Sequence, residues 1–232
     1  MARRLRAALM AVLLALPGAP ARSEGDGAGY KLLRLDGQPL RWGQARYEAV
    51  TYGFLRSGTT SGVRNCRPML PIDATLARSG LGIDEARRAA REAFDRWSAA
   101  AGIEFREVAA ARADIVIGTM TRRRGIAFAD VTHRRGAGEY GHLKRALVCL
   151  SARETWMVGA DGIEETRDLR YVLTHEIGHA IGLDHPGRFG AMMAFGYREG
   201  HDALGPGDRA AARRLYGPSR RGIVTARIRP SF

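Results

Sequence analysis

The eleven residues HEIGHAIGLDH, 175 to 185, hold three of the six histidines in a chain of 232 residues and constrain its folding more than any other stretch. Leu169, Val172, Leu173, Ile177 and Ala180 recur at three- and four-residue spacing, which predicts a helix through LRYVLTHEIGHAIG with one face on a core. On that helix His175 and His179 lie one turn apart on the same side. Two imidazoles so placed can bind one zinc ion at about 2.0–2.1 Å without strain. Glu176, beside the first histidine in sequence, can lean over the open coordination position and take a proton from a water activated there. Gly182 can turn left-handed at no steric cost, which ends the helix and swings His185 round as a third ligand. Three protein ligands and a water make a catalytic zinc site, whereas a structural zinc is closed by four. A bare HExxH arises by chance fairly often. Average composition would give the full HExxHxxGxxH in a chain of this length only about once in a hundred thousand.

The remaining sequence must supply a scaffold for this helix, and its length fits one domain with a real core. Residues 22 to 45, rich in Gly and polar residues, are expected to be a loose lead-in. YEAVTYGF (47–54) alternates well enough for a first strand. A Gly/Ser/Pro-containing connection, 57 to 82, carries Cys66. Asp84 is the expected cap of a helix to about Ala101, with Ala86, Ala90, Ala93, Phe94 and Trp97 on one face. IEFREV (103–108) and ADIVIGTM (113–120) read as strands, the second apolar on both faces and therefore central. A weaker strand is expected at IAFADV (126–131) and another at RALVCLS (145–151). A last helix should run from Pro206 to Tyr216 and stop at Gly217-Pro218, leaving a short basic tail, 218–232.

The first 21 residues read as a secretory leader: arginines at 3, 4 and 6, an apolar run from Ala7 to Leu16, and the small-x-small pattern Ala19-Pro20-Ala21. That run is too short to span a bilayer of roughly 30 Å, so an exported, periplasmic or extracellular protein is expected, not an integral membrane one. The Arg3-Arg4 pair hints only weakly at the twin-arginine route. In an oxidising compartment the two cysteines, Cys66 and Cys149, favour a disulfide over free thiols. The formal charge of +13 favours acidic partners, such as an anionic envelope surface. The arginines are not interleaved with aromatics as in a stacking platform, so no specific nucleic-acid binding is expected.

HEIGHAIGLDH resembles the zinc-binding motif of the metzincin metallopeptidases. AMMAFGY (191–197) is placed to be their methionine turn, with Met193 eight residues after His185, the short spacing of matrixins. VTYGF, AFDRWSAAAGIEFREV, ADIVIG, ALVCLSARETW and LGPGDRAAARRLYG resemble successive matrixin elements, so the likeness covers roughly residues 45 to 217. It implies an α+β zincin fold: a twisted mixed sheet of about five strands, an active-site helix, a backing helix and a C-terminal helix, in a catalytic domain of residues 46–217. It also implies a zinc endopeptidase acting on protein or peptide substrates, with Met193 as an apolar floor and Tyr197 walling a substrate pocket. Substrate would lie extended along an edge strand, for which residues 136 to 147 are the expected source.

The departures narrow the reading. Pro186 stands where matrixins usually have serine. Phe195 stands where serralysins and astacins place a tyrosine ligand, so a switching tyrosine is not expected. Between 122 and 150 only His133 and His142 could serve a second zinc, and neither that nor a structural Ca²⁺ is expected. No PRCGxPD-like cysteine switch precedes the domain. Two other functions remain compatible with the residues: a non-catalytic zinc-containing module binding anionic envelope material, and a zinc hydrolase of a non-peptide, cell-wall amide. An intact Glu176 speaks against the first, since binding alone needs no base.

Overall fold

The structure is a computed structural model that describes residues 29–43, 49–60, 65–121, 125–159, 165–187, 191–196 and 203–220. The leader, Tyr197 and the tail beyond residue 220 lie outside the described residues. The chain forms β1 (Lys31–Leu32), β2 (Arg34–Leu35), β3 (Gln38–Trp42), β4 (Val50–Phe54), α1 (Asp73–Arg78), α2 (Ile83–Ala100) and β5 (Phe105–Glu107). There follow β6 (Ile115–Met120), β7 (Ala127–Arg134), β8 (Gly141–Ser151), β9 (Thr155–Met157), β10 (Thr166–Asp168), α3 (Leu169–Ala180), β11 (Leu183–Asp184) and α4 (Pro206–Tyr216).

Parallel strands β8, β6, β4 and β5 run in that order through a seven-stranded sheet, with β5 at its far edge. β8 is long enough to pair with β3 through residues 141–143 and with β6 through 146–151. β7 runs antiparallel along its other side and closes that edge. All six residues of β6 are buried, as a strand apolar on both faces requires. The sheet is larger than the five strands expected, because residues 31–42 of the lead-in form strands. β2 and β3 join the sheet, and Leu32, Leu40 and Trp42 are buried. Three large apolar side chains in eleven residues outweigh the polar and glycine residues between them, since each buried one contributes about 1.5–3 kcal/mol.

α2 and α3 pack together on one face of the sheet. α2 turns Ala86, Ala89, Ala90, Ala93, Phe94 and Trp97 inward, and the small alanines let its backbone come close. Its cap differs from the expectation: Gly82 precedes the helix, and the Glu85 carboxylate accepts the Gly82 N–H at 2.6 Å. Asp84 lies inside the first turn and pairs with Arg87. The capping carboxylate belongs three residues after the cap, a position Glu85 occupies and Asp84 does not. The opposite face of the sheet is covered by the connection between β4 and α1. There Cys66 is disulfide-bonded to Cys149 of β8, and Met69 packs with Val116, Met120 and Leu147.

Candidate metal centre and active site

α3 begins at Asp168, whose side chain accepts the Arg170 N–H at 2.9 Å as an N-cap. Its apolar residues Leu169, Val172, Leu173, Ile177 and Ala180 are all buried, so its rotation about its own axis is fixed. Trp97, fully buried on α2, locks it further by donating its indole N–H to the Thr174 carbonyl at 2.9 Å. The face left over carries His175, Glu176 and His179 toward a cleft of about 500 Å³, bounded by Leu33, residues 126–129, Tyr171, Val172 and Phe195. The chain leaves the helix at Gly182, with φ +103°, and β11 brings His185 back over the same spot.

The three imidazoles converge. Nε2 of His185 lies 3.0 Å from Nε2 of His175 and 3.1 Å from Nε2 of His179. Nδ1 of His175 is 2.7 Å from the Met192 carbonyl, and Nδ1 of His179 is 2.9 Å from the Leu183 carbonyl. A carbonyl can only accept, so both rings carry their proton on Nδ1 and aim an Nε2 lone pair inward. His185 can donate a single Nε2 proton to only one of them at a time. Three convergent lone pairs are satisfied together by a cation, and imidazole nitrogen suits zinc. Electrostatics point the same way. Burial, reinforced by the neighbouring rings, holds His175 down to about 4 and His179 down to about 3, so both rings are neutral and free to offer a lone pair to a cation. Burial lowers His185 as well. Among the described residues these three form the one such cluster within 4.8 Å.

Glu176 is buried, and its Oε2 has no hydrogen-bond partner among the described residues. Burial, with a smaller push from Asp130, raises its carboxyl to about 8. Burial thus favours the neutral carboxyl until a nearby cation stabilises the ionised form. An orphaned buried carboxyl oxygen beside three imidazoles fits a site built for a cation and a polar ligand, and the residues present therefore fit zinc.

Below the histidines, Met193 is buried, and a Cβ on Gly178 would come within 2.2 Å of its sulfur. Gly178 is thus the notch in α3 that admits Met193, a role hidden in the sequence because it fills an unconstrained position of HExxH. A glycine inside a helix costs about 1 kcal/mol relative to alanine, and that cost was the available signal. Asp208 was also missed. It is buried in the first turn of α4 and accepts backbone N–H groups from Met192 at 2.8 Å, Met193 at 3.2 Å and Gly205 at 2.7 Å, tying the methionine segment to the last helix. Phe195 is 82% exposed, with its ring edge-on to His185 at 5.1 Å.

The expected edge strand needs correction. Residues 141–147 belong to β8, which has neighbours on both sides, and 136–140 form the turn before it. The strand bordering the cleft is β7, which among the described residues pairs only with β8. β8 carries the longer buried run and is drawn to the interior, leaving the half-exposed β7 outside. His133 pairs with Asp36 at 3.0 Å, and His142 lies on the neighbouring strand β8, opposite Arg134.

The sequence model of the peptidase M10 family, Matrixin, matches residues 73–217, more than half of the chain. Matrix metalloproteinase-19 of Homo sapiens is 35% identical over 147 residues, covering 57% of this chain and 26% of that protein. Stromelysin-3 of Rattus norvegicus is 30% identical over 148 residues, covering 58% of this chain and 27% of its own. Metalloendoproteinase 1-MMP of Arabidopsis thaliana is 33% identical over 159 residues, covering 64% and 42%. The chain thus spans only about a quarter of the length of the first two relatives and less than half of the third. The matched stretch runs from α1 through α4 and contains the histidine cluster and the methionine beneath it, and by this match the chain belongs to the matrixin family.

Proposed function

We propose that the protein is an exported, zinc-dependent endopeptidase. The observation that carries this reading is the convergence of three neutral imidazole Nε2 atoms beside the unpartnered carboxylate of Glu176, at the floor of an open cleft. His175, His179 and His185 would hold one zinc ion, which supplies Lewis-acid polarisation of the scissile carbonyl and lowers the pKa of water. Glu176 accepts the proton of the attacking water on its free Oε2 and later delivers it to the leaving amine nitrogen. The Met192 and Leu183 carbonyls keep the His175 and His179 rings in the correct tautomer. Met193 gives the cage an apolar floor and takes no chemical step. An extended substrate adds to the open edge of β7, whose main chain supplies hydrogen bonds while the cleft receives a side chain. Phe195 walls that cleft. Residues 1–21 direct export and are removed. Among the described residues no helix is long and apolar enough to cross a membrane.

The test is peptide-library cleavage by the purified, zinc-loaded chain, with metal content measured after dialysis against a weak chelator. About one zinc equivalent and cleavage abolished by a strong chelator are expected. One tightly bound zinc with no cleavage of any peptide would overturn the endopeptidase reading and favour a binding module or a non-peptide hydrolase. A reproducible second equivalent would contradict the single-metal site and return attention to His133 and His142.

A further inference from the structure

The family match begins at residue 73, yet the chain before it reaches the metal centre. β1 pairs antiparallel with β11, Lys31 opposite Asp184 and Leu32 opposite Leu183. The Leu33 N–H donates to the Gly182 carbonyl at 2.8 Å, and the Trp42 indole donates to the Ala180 carbonyl at 3.0 Å. Contact between the two segments is backbone to backbone: a Cβ on Gly182 would sit 2.1 Å from the Leu40 carbonyl oxygen. Lys31 Nζ lies 2.7 Å from Asp184, whose other carboxylate oxygen accepts the His185 N–H at 2.8 Å. Leu33 itself borders the cleft.

We propose that residues 30–42 are a positioning strap for the metal centre, holding the Gly182–His185 turn so that the second and third histidines meet the ion. The physical reason lies in the turn. A helix that stops at Ala180 leaves its last carbonyls without intrahelical partners, and a buried orphan carbonyl is costly. The strap satisfies the Ala180 carbonyl at the end of the helix and the Gly182 carbonyl in the turn. It also fixes Leu183, whose carbonyl orients the His179 ring, and Asp184, which leads into His185. Without it the turn keeps its sequence but loses the partners that select one conformation. The chain must then retain residues 30–42 to hold zinc, so cutting within them would release metal rather than uncover an active site.

The inference rests on the three histidines being zinc ligands, and the experiment separates the two claims. Zinc dissociation constants are measured on the full chain by competition with a chromophoric chelator, for the parent, Leu33→Pro, Trp42→Phe and Ile72→Val. Leu33→Pro removes the N–H that reaches Gly182. Trp42→Phe removes only the indole donor and keeps an aromatic ring. Ile72→Val loosens the core away from the strap as a stability control. Leu33→Pro should weaken zinc binding about 10–100-fold and Trp42→Phe by a smaller factor, the range typical of groups that orient metal ligands. Ile72→Val should lower Tm while leaving zinc affinity at the parental value. A strap that is only structural would lower Tm in all three and move no affinity, which would overturn the proposal. If Leu33→Pro does not fold, Trp42→Phe decides alone. Failure of the parent to bind zinc would overturn the metal reading itself, and the strap with it.

Discussion

The two faces of the central sheet are finished by different means. On one, α2 and α3 bury alanines, Phe94, Trp97 and the apolar stripe of the zinc-motif helix against Ile115, Ile117, Val148 and Leu150. On the other, apart from a single 3₁₀ turn at Ala110–Arg112, an irregular connection covers the sheet and is held down by the Cys66–Cys149 bridge and by Asp130. The Asp130 carboxylate accepts the backbone N–H groups of Asn65 and Cys66, each at 2.8 Å, and the Asn65 side-chain amide at 3.2 Å. Packing over many side chains fixes a helix to within a fraction of an ångström, which a metal site needs. A covalent bridge and a buried carboxylate hold a loop with few apolar contacts, which a cover needs. The helical face carries the proposed chemistry and the stapled face contributes stability, so substitutions on the two should behave differently.

The largest effects belong to the helical face. His179→Ala should lose zinc and peptidase activity together, since two histidines hold the ion poorly. Glu176→Ala should keep nearly all of its zinc while hydrolysis falls by about 10²–10⁴-fold, as expected when a general base is removed. Metal content and kcat/KM on one cleaved peptide check both. Wild-type turnover in Glu176→Ala would falsify the assignment of Glu176 as the base.

Next comes the staple. Replacing Cys66 and Cys149 together by serine should cost about 3–5 kcal/mol of stability in urea unfolding, because the bridge closes a long loop. Zinc affinity should stay at the parental value. A large loss of zinc affinity in that variant at a temperature where it is folded would break the division between the faces.

Gly178→Ala should cost about 1–3 kcal/mol, since the new methyl would overpack against Met193. Unlike the cysteine variant, it should also weaken zinc binding, because Met193 underlies the histidines. An unchanged affinity would remove Met193 from the support of the site. The smallest effect is expected for Asp130→Asn, which keeps one acceptor oxygen and loses the other. A cost of about 1–2 kcal/mol in unfolding is expected, with kcat unchanged. A fall in kcat without loss of stability would show that the outer face reaches Glu176 through β7.

The sequence by itself determined the parts whose physics is local. Helical spacing put His175 and His179 on one side, Gly182 ended the helix, and Pro206 with Gly217 bounded the last helix at both ends. Apolar runs located β4, β6 and β8, because buried strands need such runs wherever they lie. Only the tertiary structure decided which strand became the edge, since the order of β7 and β8 depends on β3 and β6 pairing along the far side of β8. Only it drew residues 31–42 into the sheet and onto the turn, through backbone groups that every residue carries and no motif marks. Gly178 and Asp208 belong here too: a notch acquires meaning from the sulfur that fills it, and a carboxylate from the N–H groups that reach it. Candidate ligands are legible as residue types at fixed spacing. Their supports are contacts between segments far apart in the chain, and a linear sequence does not record them.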